Sequence, residues 1–418
     1  MCLVRGVAAH SGRSLKANAA WSVLGNLIYT GGRILIVVFL TRTFSSEQVG
    51  QVIFALAVVT PLSYLVNMEL RSVFVTNPQG RIKLGHCLAN RLISNVVFIA
   101  VLVGICVWAW DIWGGYKSAV VLTAGLVRGA ESWAEVYMGA FQKCEQLKRW
   151  AISQSLKTAG VLGWVIFLPC WTDDIIWMLV GWWVATLLVA WFYDRTRARQ
   201  LMSVHPLWNA KISGELTRWG FSLGVFVTLA ILNHQVGQYF IEHALGDSAV
   251  AYFGVLVMYV SGATTLQNGV NQAVLPRLAR YFVEDRKQFR GLLSKVLGVS
   301  WLVMLISLAI VGYKGQELLR LVHGAEYAPY ASLFFLMMLA GCFLLTAMIL
   351  GDAVVACRRY KSRMAAVALG LGINILICAS FIGRYGLPAA AWATLASAMA
   401  TCLVCAAVLI HTARLKGI

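Results

Sequence analysis

The sequence predicts an all-α polytopic membrane protein: twelve transmembrane helices in two six-helix lobes around a central cavity, with both termini cytoplasmic. Three observations carry this. The chain is 60% hydrophobic and 12% charged, with a mean hydropathy of +0.74. A soluble chain is nearer half apolar and about a quarter charged. Its apolar residues gather in stretches of the length, about 20 residues, that crosses roughly 30 Å of hydrocarbon. Finally, of 35 Lys and Arg, 27 fall in alternate gaps between these stretches or at the stretch ends that border them, 5 in the other gaps and 3 well inside stretches.

The stretches lie near 19–41, 49–74, 88–110, 118–141, 150–169, 175–193, 220–244, 249–274, 292–313, 329–350, 363–383 and 388–411. An even number returns the chain to its starting side. Cations are retained in the cytoplasm, so the gaps rich in Lys and Arg, from Arg5 and Arg13 to Arg414 and Lys416, mark that side. Arg42, Lys117, Lys314, Arg320 and Arg384 mark the outer one. The first stretch is too long and too polar for a signal peptide and reads as an uncleaved first helix. The net charge of +18 is spread over short loops rather than gathered in one module, so it reads as topology beside anionic headgroups and not as nucleic-acid binding. Cys402 and Cys405 form a C-x-x-C inside an apolar helix without a second pair or nearby His, which points to small-residue packing and to no metal. No phosphate-binding G-x-x-x-x-G-K-[ST] occurs, so no ATPase is expected.

The longest connection, Asp194 to Arg218, divides the chain into an N-terminal six-helix lobe, 1–200, and a C-terminal one, 201–418. An offset of 201 places Phe39 on Phe240, Phe44 on Leu245, Ser46 on Asp247, Val49 on Val250 and Gly50 on Ala251. In both halves a short outer turn offers a polar N-cap (Ser45 or Ser46; Asp247) to a long helix. Six helices per unit then imply parallel repeats about an axis along the membrane normal, with a substrate path at their interface. The same register superposes Arg33 on His234 and Asn67 on Asn268.

A cation at membrane depth is costly, which singles out Arg33, Arg128 and Lys157. The first helix carries Asn18, Ser22, Asn26, Tyr29 and Arg33 on one face, a stripe that must meet protein or water rather than lipid. The plainer reading is interhelical hydrogen bonding, with Arg33 snorkelling outward. In the fourth helix Arg128, Glu131 and Glu135 share a face. An Arg128–Glu131 pair leaves Glu135 free for coupling to H+ or Na+. Lys157 lies two turns inside the fifth helix, and its plainer reading is snorkelling to the cytoplasm; Glu69 and Arg71 read as an interfacial pair. The seventh helix offers Asn233, His234, Gln235 and Gln238; the eighth offers Thr264, Thr265, Gln267, Asn268, Asn271 and Gln272, ending at Pro276. Amides suit sugar hydroxyls and helix contacts alike. Together these residues describe a cavity basic in its first half and neutral in its second, suited to an anion with a bulky hydrophilic part, phosphate above all.

The segment LTRTFSSEQVGQVIFALAVV (Leu40 to Val59) resembles the second-helix start of bacterial polysaccharide and O-antigen exporters. NMELRSVFVTN (Asn67 to Asn77) is similar to their second-helix ending, and NGVNQAVLPRLARYFVED (Asn268 to Asp285) to their eighth. Helix number and the 6+6 split agree along nearly the whole chain. The chain thus looks like a lipid-linked oligosaccharide flippase of the multidrug/oligosaccharidyl-lipid/polysaccharide exporter superfamily. The resemblance implies a multi-pass protein of the bacterial cytoplasmic (inner) membrane. It would flip an undecaprenyl-pyrophosphate-linked sugar unit by alternating access, coupled to an ion gradient and without a cofactor. Arg33, Arg128 and Lys157 would match the cavity cations that hold pyrophosphate. Partners expected from it are the lipid-linked sugar and a polysaccharide polymerase or chain-length complex, with the transporter itself a monomer. Relatives carry an acidic residue near His234, so a coupling role there does not transfer.

Three rivals stand beside it. A peptidoglycan-precursor flippase usually has two more helices, so 418 residues is short for one. Drug/cation antiporters of the superfamily keep a carboxylate in the first helix, where this chain has Arg33. A polymerase or glycosyltransferase of the same pathway needs a long outer catalytic loop. Here the longest, Lys314 to Ala328, holds Glu317, His323 and Glu326 without an acid/base arrangement.

Overall fold

A computed structural model of the chain describes residues 15–77 and 81–415. Arg5, Arg13 and Lys416, counted above among the cytoplasmic cations, lie outside the described residues, as do the side chains of Lys16, Ser22, Gln272, Pro276 and Arg414. Hydrocarbon offers no partner to backbone N–H and C=O groups, so a spanning chain must bond them internally. Among the described residues the regular structure is accordingly all helix: α1 Leu15–Thr43, α2 Ser46–Asn67, α3 Leu70–Thr76, α4 Leu84–Trp108, α5 Trp110–Lys143, α6 Leu147–Phe167, α7 Ile176–Leu188, α8 Arg195–Arg199, α9 Ala210–Leu245, α10 Asp247–Glu284, α11 Arg286–His323, α12 Ala331–Ala356, α13 Tyr360–Tyr385 and α14 Leu387–Leu415. Among the described residues, eleven helical segments are long and apolar enough to cross a membrane. The stretch expected at 118–141 lies in α5, whose Lys117, Arg128, Glu131 and Glu135 keep composition alone from marking it as a span.

Several expected boundaries moved. The second stretch, 49–74, is two helices: α2 stops at Asn67, Met68 turns left-handed with φ 55°, and α3 restarts at Leu70. Long helices run past their apolar stretches into the interface, so Arg91 and Arg363, counted with the cytoplasmic gaps, belong to α4 and α13. Ser45 caps α2 as expected, accepting from the Gln48 N–H at 3.3 Å. Asp247 is instead the first residue of α10, and the cap position is Gly246, whose φ of 82° only glycine holds without strain. At the turn between α10 and α11, Asp285 caps α11 through Lys287 N and Gln288 N, at 2.9 and 3.1 Å. Those bonds, the Gln288 one first, hold its carboxyl below the usual carboxylate range.

The helices pack as two compact units. One holds residues 15–39 and 58–228, the other 40–57 and 229 onward. The division therefore falls inside α1, α2 and α9 rather than at residue 200. Glycines explain the assignment. Gly50 brings the α2 backbone against the Asp247 carbonyl, and Gly254 admits Ile53, so the first half of α2 belongs with α10. Gly220 and Gly224 of α9 admit Met68 and the Tyr64 carbonyl, which ties the start of α9 to the end of α2.

Pro61 sits inside α2. It has no N–H, so the Ala57 carbonyl four residues earlier loses its helical donor. Tyr239 of α9 supplies one, its hydroxyl donating to that carbonyl at 2.5 Å. Tyr239→Phe keeps the ring but orphans a buried carbonyl. We expect a loss of about 1–3 kcal/mol, read as a lower denaturation midpoint in detergent; an unchanged midpoint would show that the bond contributes nothing.

Candidate functional site

In the first unit, α1 is drawn against α6 by two glycines seven residues apart. A side chain at Gly25 would meet Trp150 and Ala151, and one at Gly32 would meet Thr158. This fixes the rotation of α1 and with it the stripe Asn26, Tyr29 and Arg33. Arg33 does not snorkel outward. Its Nη1 donates to the Tyr29 hydroxyl at 3.2 Å, and its guanidinium lies 5.5 Å from the ring centres of both Tyr29 and Trp182. Trp182 is buried on α7, where the adjacent Gly181 leaves room for the Trp164 ring of α6. Aromatic faces stabilise a cation without neutralising it. Among the described residues no carboxylate bonds Arg33.

The other two cations are neutralised. Arg128 is bonded to Glu131 of its own helix, and its Nε and Nη2 donate to the Thr60 hydroxyl at 3.3 and 2.9 Å. Lys157 is not a snorkelling side chain either: its Nζ contacts Asp194 Oδ2 at 2.7 Å, the two side chains being 9% and 0% exposed. The groups form one electrostatic cluster. Glu131 feels Arg128, Arg33 and Lys157, and Tyr29 feels Arg33, Glu131, Arg128 and Glu135. Three cations thus share the cluster with Glu131, Asp194 and Glu135; Arg128 and Lys157 are each bonded to a carboxylate, and Arg33 is the one of the three that, among the described residues, bonds none. Glu135, half-buried, belongs as much to a second group, being an electrostatic neighbour of Arg91 together with Glu69 and Tyr64.

Asn67 does not line an open surface. It is buried, donates to Ser63 at 3.3 Å and accepts from Ser94 at 2.9 Å, while Arg91 Nη1 donates to its carbonyl at 2.7 Å. Arg91, 1% exposed, thereby caps the broken end of α2. In the second unit Asn233 also serves packing. Its Oδ1 accepts from Asn374 of α13 and Ser397 of α14, both at 3.0 Å. Gln267 donates to Asn271 at 2.8 Å and accepts from Ser300 of α11 at 2.9 Å. Gln238 is buried with no donor reaching its Oε1 among the described residues, His234 is half-buried and Asn268 is exposed. The amides of the eighth stretch therefore divide between helix contacts and open surface.

Sequence reasoning missed Asp194, Thr60, Trp182 and the interior place of Arg91. It also missed Asp352 of α12, whose charge faces Arg363 of α13. Cys402 and Cys405 are free thiols; Cys402 Sγ donates to the Phe343 carbonyl at 2.9 Å.

No protein-family model matches the chain. The capsular polysaccharide biosynthesis protein CapF of Staphylococcus aureus is 21% identical over 383 residues, covering 90% of this chain and 94% of that protein. Among solved structures, the lipid II flippase MurJ in its inward closed conformation superposes with a TM-score of 0.73 at 11% identity, over 94% of this chain and 87% of MurJ. A MOP-superfamily transporter from Pyrococcus furiosus gives 0.65 at 11% identity, over 96% and 95%. An inward-facing MATE-family multidrug transporter gives 0.63 at 13%, over 97% and 96%. At such identities these likenesses establish the fold: the chain is a multi-pass, all-helical membrane protein with the architecture those transporters share.

Proposed function

We propose that the protein flips a lipid-linked oligosaccharide, carried on undecaprenyl pyrophosphate, from the cytoplasmic to the outer leaflet of a bacterial cytoplasmic membrane. It does so by alternating access driven by an H+ or Na+ gradient. The observation that carries this reading is Arg33, held against two aromatic rings and, among the described residues, bonded to no carboxylate. Such a cation asks for an anion, and a guanidinium matches phosphate oxygens bidentately. Arg128 and Lys157 stand in the same cluster as further contacts. The likeness to CapF, named for capsular polysaccharide biosynthesis, and to the lipid II flippase MurJ supports the substrate class.

An organic-cation antiporter would need the reverse, an unpaired carboxylate facing a neutral site, whereas Glu131 is bonded to Arg128. Glu135 is therefore the carboxylate of α5 left for ion coupling. The same reading includes a monomeric transporter that works beside a polymerase or chain-length complex.

Arg33 is the test. Arg33→Ala leaves no buried carboxylate without a partner, so the fold should persist with an unchanged melting curve. Flipping of a lipid-linked oligosaccharide in proteoliposomes should fall at least tenfold, about 1.4 kcal/mol of lost stabilisation. Wild-type flipping by a well-folded Arg33→Ala protein would remove Arg33 from the site.

A further inference from the structure

The Lys157–Asp194 pair is built in an unusual way. Between α7 and α8 the chain makes a wider turn over Val189–Asp194, with bonds reaching five residues rather than four. One extra residue rotates the following side chains by about 100°, and such turns recur at functional positions inside helices. Here the turn ends on Asp194, whose carboxylate is buried against Lys157. Asp194 is fully buried, and among the described residues its Oδ1 has no donor, so Lys157 is its one bonded partner. The titratable groups around it are Lys157 of α6, Tyr137 of α5 and Tyr193 of its own segment; beyond them Arg195 and Arg199 of α8 act on Tyr137, and Arg197 of α8 and Arg149 of α6 on Tyr193.

We propose that Asp194 binds a proton whenever substrate binds: a phosphate oxygen of the lipid-linked substrate takes Lys157, the Asp194 carboxylate loses its partner, and one proton from the cytoplasmic solution replaces the lysine on it. The inference rests on the flippase reading, with Lys157 as a phosphate contact. The physical reason is the cost of leaving a carboxylate buried and unpaired, which exceeds the cost of neutralising it. Lys157 is within electrostatic range of Glu131, and its flexible four-carbon stem lets the ammonium exchange partners. The proton returns to solution when the substrate leaves and the ion pair re-forms. Substrate binding thereby acquires a proton stoichiometry without a carboxylate that touches the substrate.

The test uses the full chain purified in detergent and geranylgeranyl pyrophosphate as the probe, with affinity measured from pH 6.5 to 8.5. Uptake of one proton on binding weakens affinity about tenfold per pH unit, and the probe's own ionisation cancels when variants are compared. Relative to Asp194→Asn, the wild type should lose affinity about tenfold per unit. At pH 8 Asp194→Asn, with Lys157 released, should bind more tightly than wild type. Parallel pH profiles for the two proteins overturn the proposal. Should Asp194→Asn not fold, Lys157→Met combined with Asp194→Leu removes both charges, and its profile must be flat relative to wild type; a profile as steep as the wild type's is equally fatal. A wild-type protein that binds the probe at no pH overturns the flippase reading itself, which separates the two failures.

Discussion

Lys157→Met should destabilise the protein by about 3–5 kcal/mol, the cost of breaking a buried ion pair from one side. The lysine's stem is replaced by a side chain of similar length, so the loss does not come from packing. It comes from Asp194, which is fully buried, has no second donor among the described residues, and must take up a proton once its partner is gone. The same physics says what should repair it. Adding Asp194→Leu removes the orphaned charge, and an apolar pair of similar volume is often as stable as the ion pair it replaces. The double variant should therefore recover most of the single variant's loss in a denaturation series in detergent, an interaction of at least about 2 kcal/mol in a double-mutant cycle. Additive losses would mean that the two side chains do not depend on one another. Arg33→Ala is the contrast: it removes a cation with no acid partner, so its effect belongs to transport and not to stability.

That contrast marks what could be read from the chain. Arg33, Arg128 and Lys157 stood out in the sequence because a charge inside a long apolar stretch has a cost that local pattern reveals. Their partners did not. Glu131 was legible because it shares a helix with Arg128 at a spacing of three. Thr60, a small hydroxyl in an apolar run, carries no signal that a guanidinium needs it. Asp194 abuts the basic run Arg195 to Arg199 and so reads as the start of a cytoplasmic loop. Only the wider turn, which no periodicity announces, brings it inside.

The break in α2 was hidden for a related reason. Met68 is neither Gly, Asn nor Pro, and hydrophobic periodicity does not register one left-handed residue held by the Arg91 cap on Asn67. Composition reveals that helices exist, because hydrocarbon permits little else. It does not fix which helices belong together. That depends on where two backbones can approach, and hence on single glycines whose partners lie far away in sequence.

Gly50 is the sharpest of these, and Gly50→Ala is the expected disruption outside the charged cluster. The new methyl group would overlap the carbonyl oxygen of Asp247, at the first turn of α10, and lie too close to that residue's carbonyl carbon as well. A side-chain neighbour could rotate away; a backbone carbonyl in a helix cannot without moving the helix. α2 and α10 must separate, and the buried residues on either side of the notch, Val49 and Val52 of α2 with Val250 and Ala251 of α10, lose contact together. Overpacking costs about 1–3 kcal/mol where side chains absorb it, and with rigid backbone on both sides about 3 kcal/mol is the expectation. Gly31→Ala is the control, since nothing lies within 4 Å of a methyl group there. Replacing glycine by alanine in a helix interior should stabilise it by about 0.5–1 kcal/mol. Melting curves of the two variants should therefore move in opposite directions; a Gly50→Ala protein as stable as wild type would mean that α2 and α10 do not meet at this notch.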